Sequence, residues 1–369
     1  MKYKIHLSLL LLLLALSCGK IATQDFNEDY STMNLSYFES ANCYIVSEAG
    51  KYKFKTVKGN SSTSVGNVST CEVLWESFGT STTPTIGDLI KGVTYKDGYI
   101  EFETAKNFRE GNAVIAAKDA NGTILWSWHI WLTDQPQGQA YINGAGVMMD
   151  RNLGATASTP GDVGALGLLY QWGRKDPFLG SSLISSSTEA KSTITWPSTV
   201  QSSSSQGTIA YATAHPTTFI TYNSNNGDWY YSSDSSTDNT RWQSSKTVYD
   251  PCPAGWRVPD GGTSGVWSNA FGSGSYWETL SKWDSTNNGM DFSKTDKQLG
   301  SSGPIWYPAS GCRICDGGPL YGVGSGGLYW SVSPSGLDAC SLLFNDSGRV
   351  YPANLGSRAY GQSVRCLQE

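Results

Sequence analysis

Residues 111–132 read GNAVIAAKDANGTILWSWHIWL. Two apolar runs, 113–117 and 124–132, flank the turn Ala120-Asn121-Gly122-Thr123. Asn-Gly between apolar runs is the strongest short-range hairpin signal, because the tight turn that matches strand twist needs positive φ, which these two residues adopt at low cost. The second run also sorts by parity: Trp126 and Trp128 belong to one face of a strand, His129 and Trp131 to the other.

The same pattern extends outward. Residues 43–46 (CYIV), 51–55 (KYKFK), 71–75 (CEVLW) and 99–102 (YIEF) are short alternating, β-branched or aromatic runs. Gly50, Gly59-Asn60, Gly66-Asn67 and Lys96-Asp97-Gly98 punctuate them as turns. No long helical period intervenes, so residues 38–135 are expected to form a β-sandwich. Asp134-Gln135-Pro136 breaks the last strand. Beyond it, in residues 136–369, Gly, Trp and Pro rise and the apolar runs shorten. Residues 181–187 and 198–205 are Ser-rich and read as an exposed insertion near 181–205. Residues 167–173 and part of 267–283 are expected as short helices. The fold class is therefore mainly β, with an α+β second domain.

The first residues address the chain. Lys2 and Lys4 precede a Leu-rich run over 7–16, and Ser17 precedes Cys18. A charged start, a short apolar stretch and a small residue before the cut describe a secretory signal, expected over 1–17. The run is about half of the ~20 residues a spanning helix needs. The stretch LALSC resembles a lipobox, with Ala15 where an aliphatic residue is usual and Leu16 where a small one is. Cys18 is the expected lipid attachment, residues 18–37 the tether, and the outer membrane the anchoring surface in the cell envelope. No acidic run follows Cys18 to single out the outer surface over the periplasmic face.

Loss of 1–17 leaves 24 of the 26 Lys and Arg against 31 acids, a charge of about −7. That balance argues against phosphate-backbone binding, which needs clustered cations, so no nucleic-acid partner is expected. Gly (41), Tyr (20) and Trp (14) are plentiful while charged residues are 15%, a composition suited to β-structure, loops and packed or presented aromatics.

Seven cysteines remain beyond Cys18: Cys43, Cys71, Cys252, Cys312, Cys315, Cys340 and Cys366. An odd number leaves at least one thiol free even in an oxidising compartment. Cys43 and Cys71 lie in strand runs, where a bridge and two buried apolar thiols are equally reasonable.

Residues 249–259 (YDPCPAGWRVP) resemble the signature of the Fibrobacter succinogenes major paralogous domain. So do residues 149–154 (MDRNLG), 170–178 (YQWGRKDPF), 329–331 (YWS) and 363–366 (SVRC), which together cover most of 140–369 in family order. Residues 41–46 (ANCYIV) and 126–131 (WSWHIW) are similar to a module that precedes this domain in Bacteroidetes envelope proteins. The resemblance implies a C-type-lectin-like fold for the second domain. It also implies an outer bridge, Cys252–Cys366, an inner bridge between Cys340 and Cys312 or Cys315, and adhesion or fimbria-associated roles.

The paired carboxylates and amides of a calcium-dependent sugar site are missing. Asp228, Asp234, Asp238 and Asn239 are the nearest loop oxygens, and a solvated polar loop explains them as well. No metal and no cofactor is expected. Metal-free glycan binding needs aromatic faces with polar neighbours; Trp229, Tyr230, Tyr231 and Trp242, and the pair Trp306 and Tyr307, sit among Ser, Asn, Asp and Gly and are the ligand-binding candidates. Catalysis has few footholds: His129 lies in an aromatic strand and His215 precedes Pro216, with no neighbouring nucleophile motif. Cys312-Arg313-Ile314-Cys315 has the spacing of a redox pair but no thioredoxin-like βαβ pattern around it. The expectation is a non-catalytic binding or adhesion lipoprotein that meets glycan or protein, with fimbrial subunits as partners. A structural envelope or pilus-assembly subunit and a cysteine-based oxidase of the formylglycine-generating kind are the alternatives.

Overall fold

In the computed structural model, eight strands come first: β1 (Thr32–Asn34), β2 (Cys43–Val46), β3 (Lys51–Lys55), β4 (Thr70–Ser77), β5 (Ile90–Lys96), β6 (Tyr99–Thr104), β7 (Gly111–Lys118) and β8 (Ile124–Leu132). They build two four-stranded sheets, ordered β1-β3-β6-β5 and β2-β8-β7-β4. The structure describes residues 32–223, 227–233, 237–271, 277–278, 283–292 and 305–369. The expected signal, Cys18 and residues 19–31 of the tether lie outside these. Residues 32–34, expected as tether, instead form β1 against β3, because Leu35 N–H donates to Lys53 O at 2.8 Å and draws the chain onto the sheet.

The parity of each strand decides what it buries. Tyr52, Phe54, Ile100 and Phe102 from one sheet meet Val46, Ile115, Trp126, Trp128 and Ile130 from the other in a single apolar core. Each such side chain, fully buried, contributes about 1.5–3 kcal/mol. The hairpin of β7 and β8 forms in antiparallel register, Ile115 opposite Trp128. β2 joins β8 in parallel, Cys43 opposite His129. Cys43 and Cys71 are both free thiols, because β2 and β4 are opposite edges of their sheet, three strand spacings or about 14 Å apart. A disulfide needs Cα atoms within about 7 Å.

β8 has no solvent face. Trp131, with Val114, Trp75 and Cys43, packs into a second core with Met149, Leu153, Trp172, Trp330 and Val364. Polar pairs stitch the same boundary. Lys175 Nζ donates to Ser127 O at 3.0 Å and pairs with Asp176, whose Oδ1 accepts from Ser127 Oγ. Trp131 Nε1 donates to Ala155 O, and Asn42 Nδ2 to the carbonyls of Val248 and Asp250, both at 2.8 Å. Residues 33–369 are consequently one compact unit.

The second half is organised by the antiparallel strands Gly326–Ser335, Asp338–Asn345 and Arg349–Ser357, a sheet continued by Gly361–Ser363, Cys312–Arg313 and Leu320–Tyr321. A smaller sheet orders Trp256–Arg257, Leu367–Gln368, Gly146–Met149 and Gly138–Tyr141. Cys252 and Cys366 form a disulfide across 114 residues. Asp250 accepts from the N–H groups of Cys252 and Val258 and so shapes the 250–258 loop. Among the described residues the chain is mostly β, 38% strand and 6% helix; the α-helices among them are Ile209–Ala214 and Val266–Phe271, the latter overlapping the start of one expected helical stretch. The other expected helix, 167–173, is a strand. Gly167 and Gly173 both hold positive φ, 71° and 80°, which ends a helix at either side, and Leu169–Gln171 pairs with Gly361–Ser363.

The Ser-rich segment is only partly exposed. Ser181, Ser182 and Ser202 are buried, and Trp196 lies 5.6 Å from Trp75. Thr193 N–H donates to Glu76 O and Lys191 N–H to Thr80 O, so backbone bonds hold the segment against the sandwich.

Candidate functional site

The aromatic candidates separate by burial. Trp229, Trp242, Trp306 and Tyr307 are core residues and do not present a face to a ligand. Each of three is fixed by its polar tip: Trp229 Nε1 donates to Trp172 O, Trp242 Nε1 to Tyr249 O, and Tyr307 Oη bonds with Tyr141 Oη at 2.6 Å. Trp306 lies on the strand Trp306–Pro308 against Gly289, where a Cβ would meet its ring at 2.5 Å. Large rings fill space wherever a cavity would otherwise remain, whatever their sequence neighbours. Tyr230 and Tyr231 stay partly exposed.

The loop oxygens near them meet arginines. Asp228 is fully buried and pairs with Arg241, with Arg358 3.9 Å away. Both guanidinium groups lie over the Trp172 ring, 4.9 and 4.3 Å from its centroid. Asp238 O accepts from Arg241 Nε, and Asn239 Oδ1 from Arg358 at 2.7 Å. These oxygens thus already accept from fixed cations; Asp234 lies outside the described residues. Among the described residues no three His, Cys, Asp or Glu side chains converge as a metal site.

The inner bridge expected between Cys340 and Cys312 or Cys315 is not formed; all three are free thiols. Cys340 is on Asp338–Asn345 and Cys312 on Cys312–Arg313, and two strands, Gly326–Ser335 and Gly361–Ser363, lie between them. Three spacings again put them about 14 Å apart. Cys340 instead packs beside Gly262, and Cys315, in the turn after Cys312, hydrogen-bonds with Tyr360. Burial, with Cys315 second, pushes the Cys312 thiol up to about 12. Burial, with Cys315 second, also pushes the Tyr360 phenol up to about 12.

A groove on the second half answers to the size of a ligand. It encloses about 560 Å³ on the main sheet of the second half, within the range of small-ligand sites. Leu328, Leu343 and Leu355 line it from three successive strands, Leu328 directly opposite Leu343, joined by Ile314, Tyr321 and Tyr360. Tyr321 and Leu355 are 68% and 51% exposed. Asn354, Ser357, Gln362 and Cys312 supply polar atoms, and among the described residues no charged side chain lines it. Gln362 is buried, and its Oε1 has no hydrogen-bond partner among the described residues. A buried acceptor left unpaired costs free energy that an incoming N–H or O–H would recover.

Of the sequence-derived candidates, only Cys312 lines this groove. The signal for it was the apolar triplet Leu342-Leu343-Phe344: consecutive apolar residues in a strand put one on each face, so the outer face carries Leu343. Compared with family models, curated proteins and solved structures, the chain finds no match in any of the three.

Proposed function

We propose that this is a non-catalytic binding protein of the cell envelope, lipid-anchored to the outer membrane through Cys18, which recognises glycan or protein through the groove at Leu328, Leu343 and Leu355. The observation that carries the reading is an uncharged, ligand-sized groove with exposed Tyr321 and Leu355 and the unpartnered Gln362 Oε1. An apolar wall with a few uncharged polar groups suits a neutral ligand: a sugar face stacked on Tyr321, or apolar side chains of a peptide. The thiols support binding over redox chemistry, since burial holds Cys312 protonated at neutral pH and a redox nucleophile acts as thiolate. The motif order through 149–366 and the Cys252–Cys366 bridge beside the last strand support a C-type-lectin-like second domain with a fimbria-associated role.

The test is a glycan and protein array with the mature chain and its Tyr321→Ala and Leu355→Asp variants. Both side chains are largely exposed, so the variants should unfold as the parent does and lose binding by at least about tenfold, the factor that 1.4 kcal/mol carries. A silent parent, or variants that bind unchanged, would overturn the proposal.

A further inference from the structure

A second surface lies at the start of the folded body. Met33, Tyr37 and Phe38 are 54%, 58% and 95% exposed, three large apolar side chains within six positions. The rings of Tyr37 and Phe38 meet edge to face, centroids 4.8 Å apart, so they stand as one projection. Its base is fixed: Tyr37 N–H donates to Asn34 O, and Lys55 N–H to Ser36 Oγ at 2.9 Å. Beside the pair is a hollow of about 440 Å³ whose lining includes Lys55 and Glu39. Lys51 and Lys53 lie opposite Glu103 and Glu101 on the neighbouring strand, whereas Lys55 lies opposite Tyr99. One cation and one carboxylate therefore line the hollow.

We propose that this projection is a bilayer contact: Tyr37 and Phe38 enter the membrane interface, and Lys55 and Glu39 meet the phosphate and ammonium of a zwitterionic, phosphatidylethanolamine-type headgroup. The inference rests on the proposed acylation of Cys18, which lies only fourteen positions before Thr32. At full extension that stretch spans at most about 50 Å, so an acyl chain on Cys18 keeps this end of the body close to the lipid. Aromatic side chains with a polar tip concentrate at that depth of a bilayer. The acyl chains proposed on Cys18 supply the anchor, and the aromatic projection adds a second, weaker contact to them.

The test uses the mature chain with Cys18→Ser, which cannot be acylated, and vesicles of phosphatidylethanolamine with phosphatidylcholine. Sedimentation should show weak partition that falls at least tenfold in the Tyr37→Ser, Phe38→Ser double variant, the factor 1.4 kcal/mol carries. Amide exchange of residues 33–40 should slow on vesicle addition in the parent alone. Phosphatidylglycerol vesicles should bind no more tightly. Equal partition of parent and variant, or unchanged exchange at 33–40, would overturn the contact; clear preference for phosphatidylglycerol would overturn the headgroup match. Mass spectrometry of Cys18 in the native protein reads the anchor separately, so a bare Cys18 removes the anchor while leaving the vesicle result to stand or fall alone.

Discussion

His129 and Asn112 meet diagonally across the hairpin of β7 and β8, Nε2 of the ring 2.8 Å from Oδ1 of the amide. The Asn112 amide group donates to Gly154 O, so its oxygen accepts and Nε2 carries the proton. Nδ1 is buried and has no partner. Burial pulls the imidazole down to about 3, against an ordinary 6.5.

That asymmetry sets a pH dependence. The folded state holds His129 neutral while the unfolded chain protonates it near 6.5, so its contribution is complete above 6.5 and is lost as pH falls toward 3. By pH 4 the loss should be about 3 kcal/mol. Urea unfolding at pH 7 and pH 4 should show His129→Gln losing distinctly less than the parent. Parallel losses would refute the assignment.

Asp228 pairs with the buried guanidinium of Arg241 and lies 3.9 Å from that of Arg358. Asp228→Asn leaves Arg241 and Arg358 without their carboxylate and should cost about 3–5 kcal/mol in denaturant unfolding. Asp238 contacts both arginines through its main-chain oxygen, so Asp238→Asn should change stability by no more than about 0.5 kcal/mol.

The strand order makes a covalent prediction. Peptide mapping without reduction should find Cys252 joined to Cys366, and Cys43, Cys71, Cys312, Cys315 and Cys340 open to alkylation after unfolding. A Cys43–Cys71 or Cys312–Cys340 peptide would contradict the sheets described here. Replacing both Cys252 and Cys366 by Ala should cost about 5 kcal/mol on the chain-entropy account of a 114-residue loop.

Because Trp75, Val114 and Trp131 pack against Leu153, Trp172 and Val364, the two halves should unfold in one transition. Residues 33–135 expressed alone would bare that apolar face and should self-associate in light scattering, whereas 33–369 should not. A monomeric, cooperatively folded fragment would show the sandwich to be independent.

The strands of the sandwich were legible because Asn121-Gly122 and the parity of Tyr52 and Phe54 are local signals. What parity could not reveal is what covers a strand's second face: parity put His129 and Trp131 on the face opposite Trp126 and Trp128, and a chain segment more than twenty residues later buries them. The candidate site was less legible still. Trp229 and Trp306 have polar neighbours in sequence but apolar ones in space, and the groove gathers Ile314, Leu328, Leu343 and Leu355 from separate strands whose order no single segment encodes. The Cys252–Cys366 bridge formed as the resemblance implies, whereas the inner bridge did not, since Cys340 and Cys312 share a sheet with two strands between them.

The parallel pairing of β2 with β8 has a bearing on how the chain matures. Cys43 finds its place beside His129, 86 positions later, only after that stretch has emerged, while β7 and β8 close through a short turn. Non-local closure is the slow step in such topologies. The nascent polypeptide therefore holds its own beginning in reserve, and any factor that delayed that last docking would leave β8 with an open rim on which another molecule of the same kind could settle.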